Sequence, residues 1–178
     1  MALVKWTLDP MHSEVQFKIK HLMITSVTGQ FNSFGTSVET EGEDFMTAKI
    51  NFWADISSVT TNNEQRDGHL KSADFFDLEH YPRLQFIATK YENVDQDGSY
   101  ELYGKLTIRD ISRPVKLDVE FGGIIKDPWG NTRAGFTISG KINRKEFGLQ
   151  WQNATETGGI VVADEVRIHC SMEFIKQV

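Results

Sequence analysis

Residues 14–22 read EVQFKIKHL. Val15, Phe17, Ile19 and His21 fall on one face of this run, and Gln16, Lys18 and Lys20 fall on the other. A period of two is the mark of a strand with one face buried and one face wet. The same alternation returns along the chain. AKINFWADI (48–56) groups Ile50, Phe52, Ala54 and Ile56. PVKLDVEFGG (114–123) sets Val115, Leu117, Val119 and Phe121 against Lys116, Asp118 and Glu120. RAGFTISGKINR (133–144) aligns Ala134, Phe136, Ile138, Gly140 and Ile142, and EVRIHCSMEFI (165–175) aligns Val166, Ile168, Cys170, Met172 and Phe174. His169 then points away from the apolar face, toward solvent.

Turn signals separate these runs. VDQDGS (94–99) joins RLQFIATKY to YELYGKLTIR as a hairpin, and KDPWGN (126–131) is a second turn. TETGGIVVADE (155–165) reads as a longer, mobile loop. Eight or nine strands in succession with few helices define an all-β antiparallel barrel or sandwich.

Composition sets the outer bounds. The 178 residues carry 19 basic and 25 acidic side chains, a net charge of −6, with 39% hydrophobic and 25% charged residues. That describes one soluble globular domain over 1–178. The acidic balance argues against nucleic acid, which is bound through a basic footprint. Cys170 is the only cysteine, so no internal disulfide and no cysteine-built zinc site can form. No run approaches the roughly 18 apolar residues of a spanning helix. The start, MALVKWTLDP, has no signal-peptide core. The expected location is therefore cytoplasmic, or periplasmic if a leader has been removed.

Alternation fails in TTNNEQRDGHLKSADFFDLEHYP (60–82). Here the spacing predicts one or two short helical turns over 62–78, the second capped by Ser72 or Asp74. Arg66 and Asp67 are placed to form an ion pair, and Asp67 and Lys71 have helical i,i+4 spacing. Arg66 or His69 could instead meet a polar head group at a cavity mouth. His21 is either a satisfied core histidine or a polar point at the end of an apolar pocket.

Two groups of residues have the types for other chemistry. Asp9, His12 and Ser13 match an orienter, base and nucleophile, but they crowd into five residues without a nucleophile elbow. A turn with Asp9 and Ser13 on nearby backbone groups is the better expectation. The histidines His12, His21, His69, His80 and His169 show no metal-ligand spacing, so neither a metal nor a cofactor is expected.

Several blocks resemble the YceI-like family of polyisoprenoid-binding, lipocalin-like bacterial proteins. WTLDPMHSEVQFKIKHL carries Asp9, His12, Ser13, Phe17 and His21 in the family's order, and VTGQF supplies Gly29 and Phe31. The most specific block holds Ser58, Val59, Thr61, Arg66, Asp67, His69, Leu70, Phe75, Tyr81, Pro82 and Phe86. GKLTIRDISRPVKL, NRKEFGLQW and ADEVRIHCSMEF follow in order, and the likeness spans 5–175. Asp110 departs from the pattern, standing where the family usually has a turn glycine.

The resemblance implies an extended antiparallel barrel of about eight strands with a long hydrophobic tunnel. It implies an isoprenoid or other long-chain amphipathic ligand and no catalytic residues. The expected wall is Val15, Phe17, Ile19, Phe31, Ile50, Phe52, Leu117, Val119, Phe136, Ile138, Ile168 and Met172. His21, Arg66 and His69 are the expected polar contacts near one end. Two other functions fit the sequence. One is a hydrolase or isomerase using His12, His21 or His69. The other is a stress-linked interaction module with a filled barrel, active as a homodimer.

Overall fold

The computed structural model describes residues 2–94, 98–151 and 162–177. The strands are β1 (Leu3–Leu8), β2 (Glu14–His21), β3 (Thr25–Phe31), β4 (Phe34–Glu41), β5 (Asp44–Asp55), β6 (Val59–Thr60), β7 (Arg83–Asn93), β8 (Ser99–Ile108), β9 (Ile111–Lys126), β10 (Thr132–Asn143) and β11 (Val162–Lys176). The single described α-helix, α1, spans Glu64–Lys71. Among the described residues the paired strands all run antiparallel.

Neighbours run β1–β4–β5–β7–β8–β9–β10–β11, and β11 returns to β1, so these strands close a barrel. Closure removes the free sheet edges of a sandwich. The strand β11 is long enough to serve two partners. Its C-terminal end pairs with β1 (Phe174↔Leu8), while its N-terminal part pairs with β2 (Ile168↔Phe17, Val166↔Ile19). The strands β2, β3 and β6 therefore extend the wall beyond the closed part of the barrel. β3 is covered by β6 only at Gln30 and Phe31. The segment 61–82 lies beside this incomplete edge.

Local chemistry explains the junctions. Asp9 caps the turn at Pro10–His12 by accepting from the Met11 amide, and this turn breaks β1 from β2. Asp127 accepts from the amides of Trp129 and Asn131, and Gly130 takes φ +87°, which closes the predicted β9–β10 turn. Arg109 and Asp110 both lie in the left-handed region (φ +51° and +63°) between the paired Ile108 and Ile111. That is the two-residue hairpin conformation that favours glycine, which accounts for the strangeness of Asp110 at this position. The β7–β8 hairpin is present, although Asp97 of its predicted turn lies outside the described residues. Of the loop expected over 155–165, residues 155–161 also lie outside them, and residues 162–165 belong to β11.

Of the one or two helical turns expected over 62–78, the structure has the first, α1. Asn63 caps α1 by accepting from the Arg66 amide, and Ser72 ends it. Residues 73–80 form turns, not a second helix. Ser72 caps no second helix; its hydroxyl donates to the His69 carbonyl, and Phe76 N–H returns to the Leu70 carbonyl. These turns drive Phe75 and Phe76 into the core, where they are 7% and 9% exposed.

Candidate functional site

The barrel encloses an apolar cavity of about 570 Å³, within the range of small-molecule sites. Val15, Phe17 and Ile19 reach it from β2, Phe31 from β3, and Ile50 and Phe52 from β5. Leu117 and Val119 reach it from β9, Phe136 and Ile138 from β10, and Ile168 and Met172 from β11. His21, Arg66 and His69 line it as well. Thus the fifteen residues expected to contact a ligand line one cavity.

Other lining residues were absent from that set. Tyr100, Leu102, Leu106 and Ile108 come from β8, and Leu84 and Phe86 from β7. Their alternation is plain in RLQFIATKY and YELYGKLTIR, so the signal was present. Leu70, Phe75, Phe76 and Trp151 also line the cavity, but they come from segments with no period to reveal them.

One end of the cavity is floored by aromatic rings. Phe45 packs on Trp6 (4.8 Å), Phe136 (4.8 Å) and Phe121 (5.6 Å), and Phe136 packs on Phe174 (5.9 Å). Trp6 Nε1–H is satisfied by Thr40 Oγ1 at 2.9 Å, so the buried indole leaves no orphan donor.

The other end is polar and framed by Lys20, His21, Asn63, Gln65, Arg66 and His69. His21 is exposed on this rim, so it is not a core histidine. Arg66 and Asp67 form no ion pair with each other; both turn onto Thr61. The Thr61 amide and hydroxyl donate to Asp67 Oδ1 at 2.7 and 2.6 Å. Arg66 Nε donates to the same hydroxyl at 2.7 Å and Nη2 to the Thr61 carbonyl at 2.9 Å. Burial disfavours the Asp67 carboxylate, but the hydrogen bonds from Thr61 outweigh it and hold the pKa below its ordinary value. His69 Nε2 lies 2.8 Å from Asp74 Oδ2, and its ring stands edge-on to Trp151 at 4.7 Å and Phe75 at 5.1 Å. The insert is therefore a pinned cap over the mouth.

Arg144 locks the chain beneath this rim. It is 2% exposed and donates to the carbonyls of Ala163 (2.8 Å), Leu149 (2.6 Å), Trp151 (2.8 Å) and Val162 (3.3 Å). Burial lowers its pKa, opposed by Asp164, whose Oδ1 stands 4.0 Å from Nη2.

The Asp9, His12 and Ser13 group forms the expected turn. Ser13 Oγ donates to the Asp9 carbonyl (2.7 Å) and accepts from the Glu173 amide (3.0 Å), while His12 Nδ1 meets Asp9 Oδ2 at 2.8 Å. Asp9, His12 and Glu173 bring ligand-type atoms within 4.8 Å of one another. However, Arg133 Nη1 already lies 2.7 Å from both Asp9 Oδ2 and Glu173 Oε2 and supplies the positive charge there. His12 sits in the turn before β2 and His21 at the far end of that strand, roughly 20–30 Å apart, so His12, His21 and His69 do not converge.

A closed antiparallel barrel with an apolar interior and a capped polar mouth is a calyx, the architecture of lipocalin-like proteins. The chain belongs to the YceI-like domain family, whose model matches residues 6–174. It is similar to a UPF0312 protein of Staphylococcus aureus strain USA300, at 37% identity over 173 residues that cover 97% of this chain and 98% of the relative. Among solved structures it is similar to the Campylobacter jejuni YCEI protein (32% identity, TM-score 0.76, covering 90% and 91% of the two chains). It shares its fold with Burkholderia cenocepacia BcnA (22% identity, TM-score 0.80, 93% and 98% covered). It also shares it with a polyisoprenoid binding domain from Saccharophagus degradans (14% identity, TM-score 0.68, 97% and 98% covered).

Proposed function

We propose that this protein binds a long-chain amphipathic lipid of isoprenoid type and carries or sequesters it without chemical change. The observation that carries this reading is the cavity of about 570 Å³, apolar from its aromatic floor to a rim of Lys20, His21, Arg66 and His69. Such a gradient suits one molecule with an apolar tail and a polar head. Removal of the tail from water supplies about 0.8 kcal/mol per methylene before ordering costs. A polyisoprenoid binding domain with the same fold supports the choice of ligand class. The carrier role is supported by the turn geometry of Asp9, His12 and Ser13, in which the serine hydroxyl donates to the Asp9 carbonyl and accepts from the Glu173 amide.

The test is titration with a fluorescent prenyl-chain probe, followed by mass spectrometry of the extracted probe. The expected result is saturable one-to-one uptake with the probe recovered intact. A hydrolysed or isomerised probe, with the change lost in His21→Ala or His69→Ala, would replace the carrier by an enzyme.

A further inference from the structure

The hairpin between β2 and β3 ends in Leu22, Met23 and Ile24, which are 38%, 51% and 79% exposed. Ile24 N–H bonds the His21 carbonyl at 3.2 Å, with Leu22 at φ +53° and Met23 at φ +60°. Two successive left-handed residues are ordinarily supplied by Asn-Gly in this kind of turn. Here the chain places two large apolar side chains in the strained positions and a third beside them. Arg109 and Asp110 form the same left-handed pair with charged side chains, so what sets this tip apart is its exposed apolar side chains.

The electrostatics of the same hairpin are unlike those of the chain as a whole. Between Glu14 and Glu39 there is no acidic residue, in a sequence that carries 25 of them. Lys18 and Lys20 project from the exposed side of β2, and neither has a carboxylate within 4.0 Å among the described residues. Lys18 shares a surface groove with Asp118, Glu146, Asp164 and Glu165, and the last two are matched by other cations. Asp164 lies 3.3 Å from Lys145 Nζ, and Glu165 lies 3.4 Å from Arg167 Nε. On α1, Asp67 is turned onto Thr61, and beyond it Asp74 meets His69, which leaves Glu64 as the carboxylate on that side. The opposite end of the barrel also exposes apolar groups, Met11 and Trp129, but it is set among Asp9, Asp127 and Glu173 around Arg133.

We infer that the Leu22–Ile24 tip docks the protein on an anionic membrane surface. The apolar side chains enter the headgroup boundary while Lys18 and Lys20 meet lipid phosphates. His21 belongs both to this hairpin and to the cavity rim, so docking sets the mouth against the bilayer. That last role, transfer between bilayer and cavity, rests on the proposed lipid binding; the docking itself does not.

The experiment is co-sedimentation of the full chain with phosphatidylcholine vesicles, with and without phosphatidylglycerol. Wild-type protein is expected to bind the anionic vesicles and to be released by salt. Each of Lys18→Gln and Lys20→Gln is expected to weaken partition about fivefold. The double variant Leu22→Asn, Met23→Gly restores the preferred turn pair, so it is expected to melt higher than wild type yet lose vesicle binding. Trp129→Ala is expected to bind like wild type. The inference is overturned if wild type ignores anionic vesicles, if Trp129→Ala removes binding, or if the Asn-Gly variant binds unchanged. It is also overturned if that variant instead dissolves a dimer, which would make a second copy the occupant. Uptake of a dispersed prenyl probe is measured on the same proteins. Uptake without vesicle binding sinks the docking surface alone, and vesicle binding without uptake sinks the carrier alone.

Discussion

Ile138→Trp separates an open cavity from a filled one. Ile138 lies midway along β10, between Val119 of β9 and Cys170 of β11, and all three face the lumen. In a packed barrel an added indole has nowhere to go, and overpacking costs about 1–3 kcal/mol or more. In a cavity of about 570 Å³ the ring enters existing space, so folding stability should change by less than about 1 kcal/mol. Binding should suffer instead. If the ring excludes about four methylenes of a bound chain, at about 0.8 kcal/mol each, affinity falls by about 3 kcal/mol, roughly two orders of magnitude. The assay pairs urea unfolding with titration of a fluorescent prenyl probe. A variant that folds as stably as wild type and binds the probe just as tightly refutes the cavity as the site. A variant destabilised by several kcal/mol refutes the open lumen.

Three further outcomes follow from the structure. Arg144→Met leaves the carbonyls of Ala163, Leu149 and Trp151 without their donor, and it should cost about 3–5 kcal/mol in urea unfolding; a loss under 1 kcal/mol would show that the lock is dispensable. Arg133 holds the Asp9 carboxyl below its ordinary pKa, against the opposing effect of burial. The stability from that pairing is present above the unfolded carboxylate value near 4 and is lost as pH falls through the lower folded value. Arg133→Gln should therefore move acid unfolding, followed by circular dichroism, to higher pH, and superimposable curves would contradict this. Asp110→Gly relieves a left-handed residue at φ +63° and should raise stability by about 0.5–1 kcal/mol, read as a higher melting temperature.

The walls of this protein were legible because a half-buried strand writes its burial into every second residue. Val15, Phe17 and Ile19 could be placed on one face from nine letters, and the same rule found the β9, β10 and β11 walls. Choosing barrel over sandwich was harder. Closure depends on the β1–β11 pairing at Leu8 and Phe174, a contact across almost the whole chain that no local pattern encodes. The cap was least legible. Its contribution to the cavity comes from Leu70, Phe75 and Phe76, which are aimed by turns rather than by a period. Arg66 and Asp67 suggested an ion pair because they adjoin in sequence. In the fold the backbone and hydroxyl of Thr61 offer both of them better-directed hydrogen bonds. Arg144 gave no physical warning of its own, since its partners are carbonyl groups, which every residue has.

The most direct test of the carrier reading is a crystal structure grown with a prenyl alcohol bearing bromine at the tail end. The anomalous signal locates the tail without reference to the rest of the ligand. The expected peak lies deep in the barrel, between Phe136 and Met172 above the Phe45 floor. A bromine on the outer surface, or an empty lumen at saturating probe, would contradict the proposal that this barrel is built to hold a lipid chain.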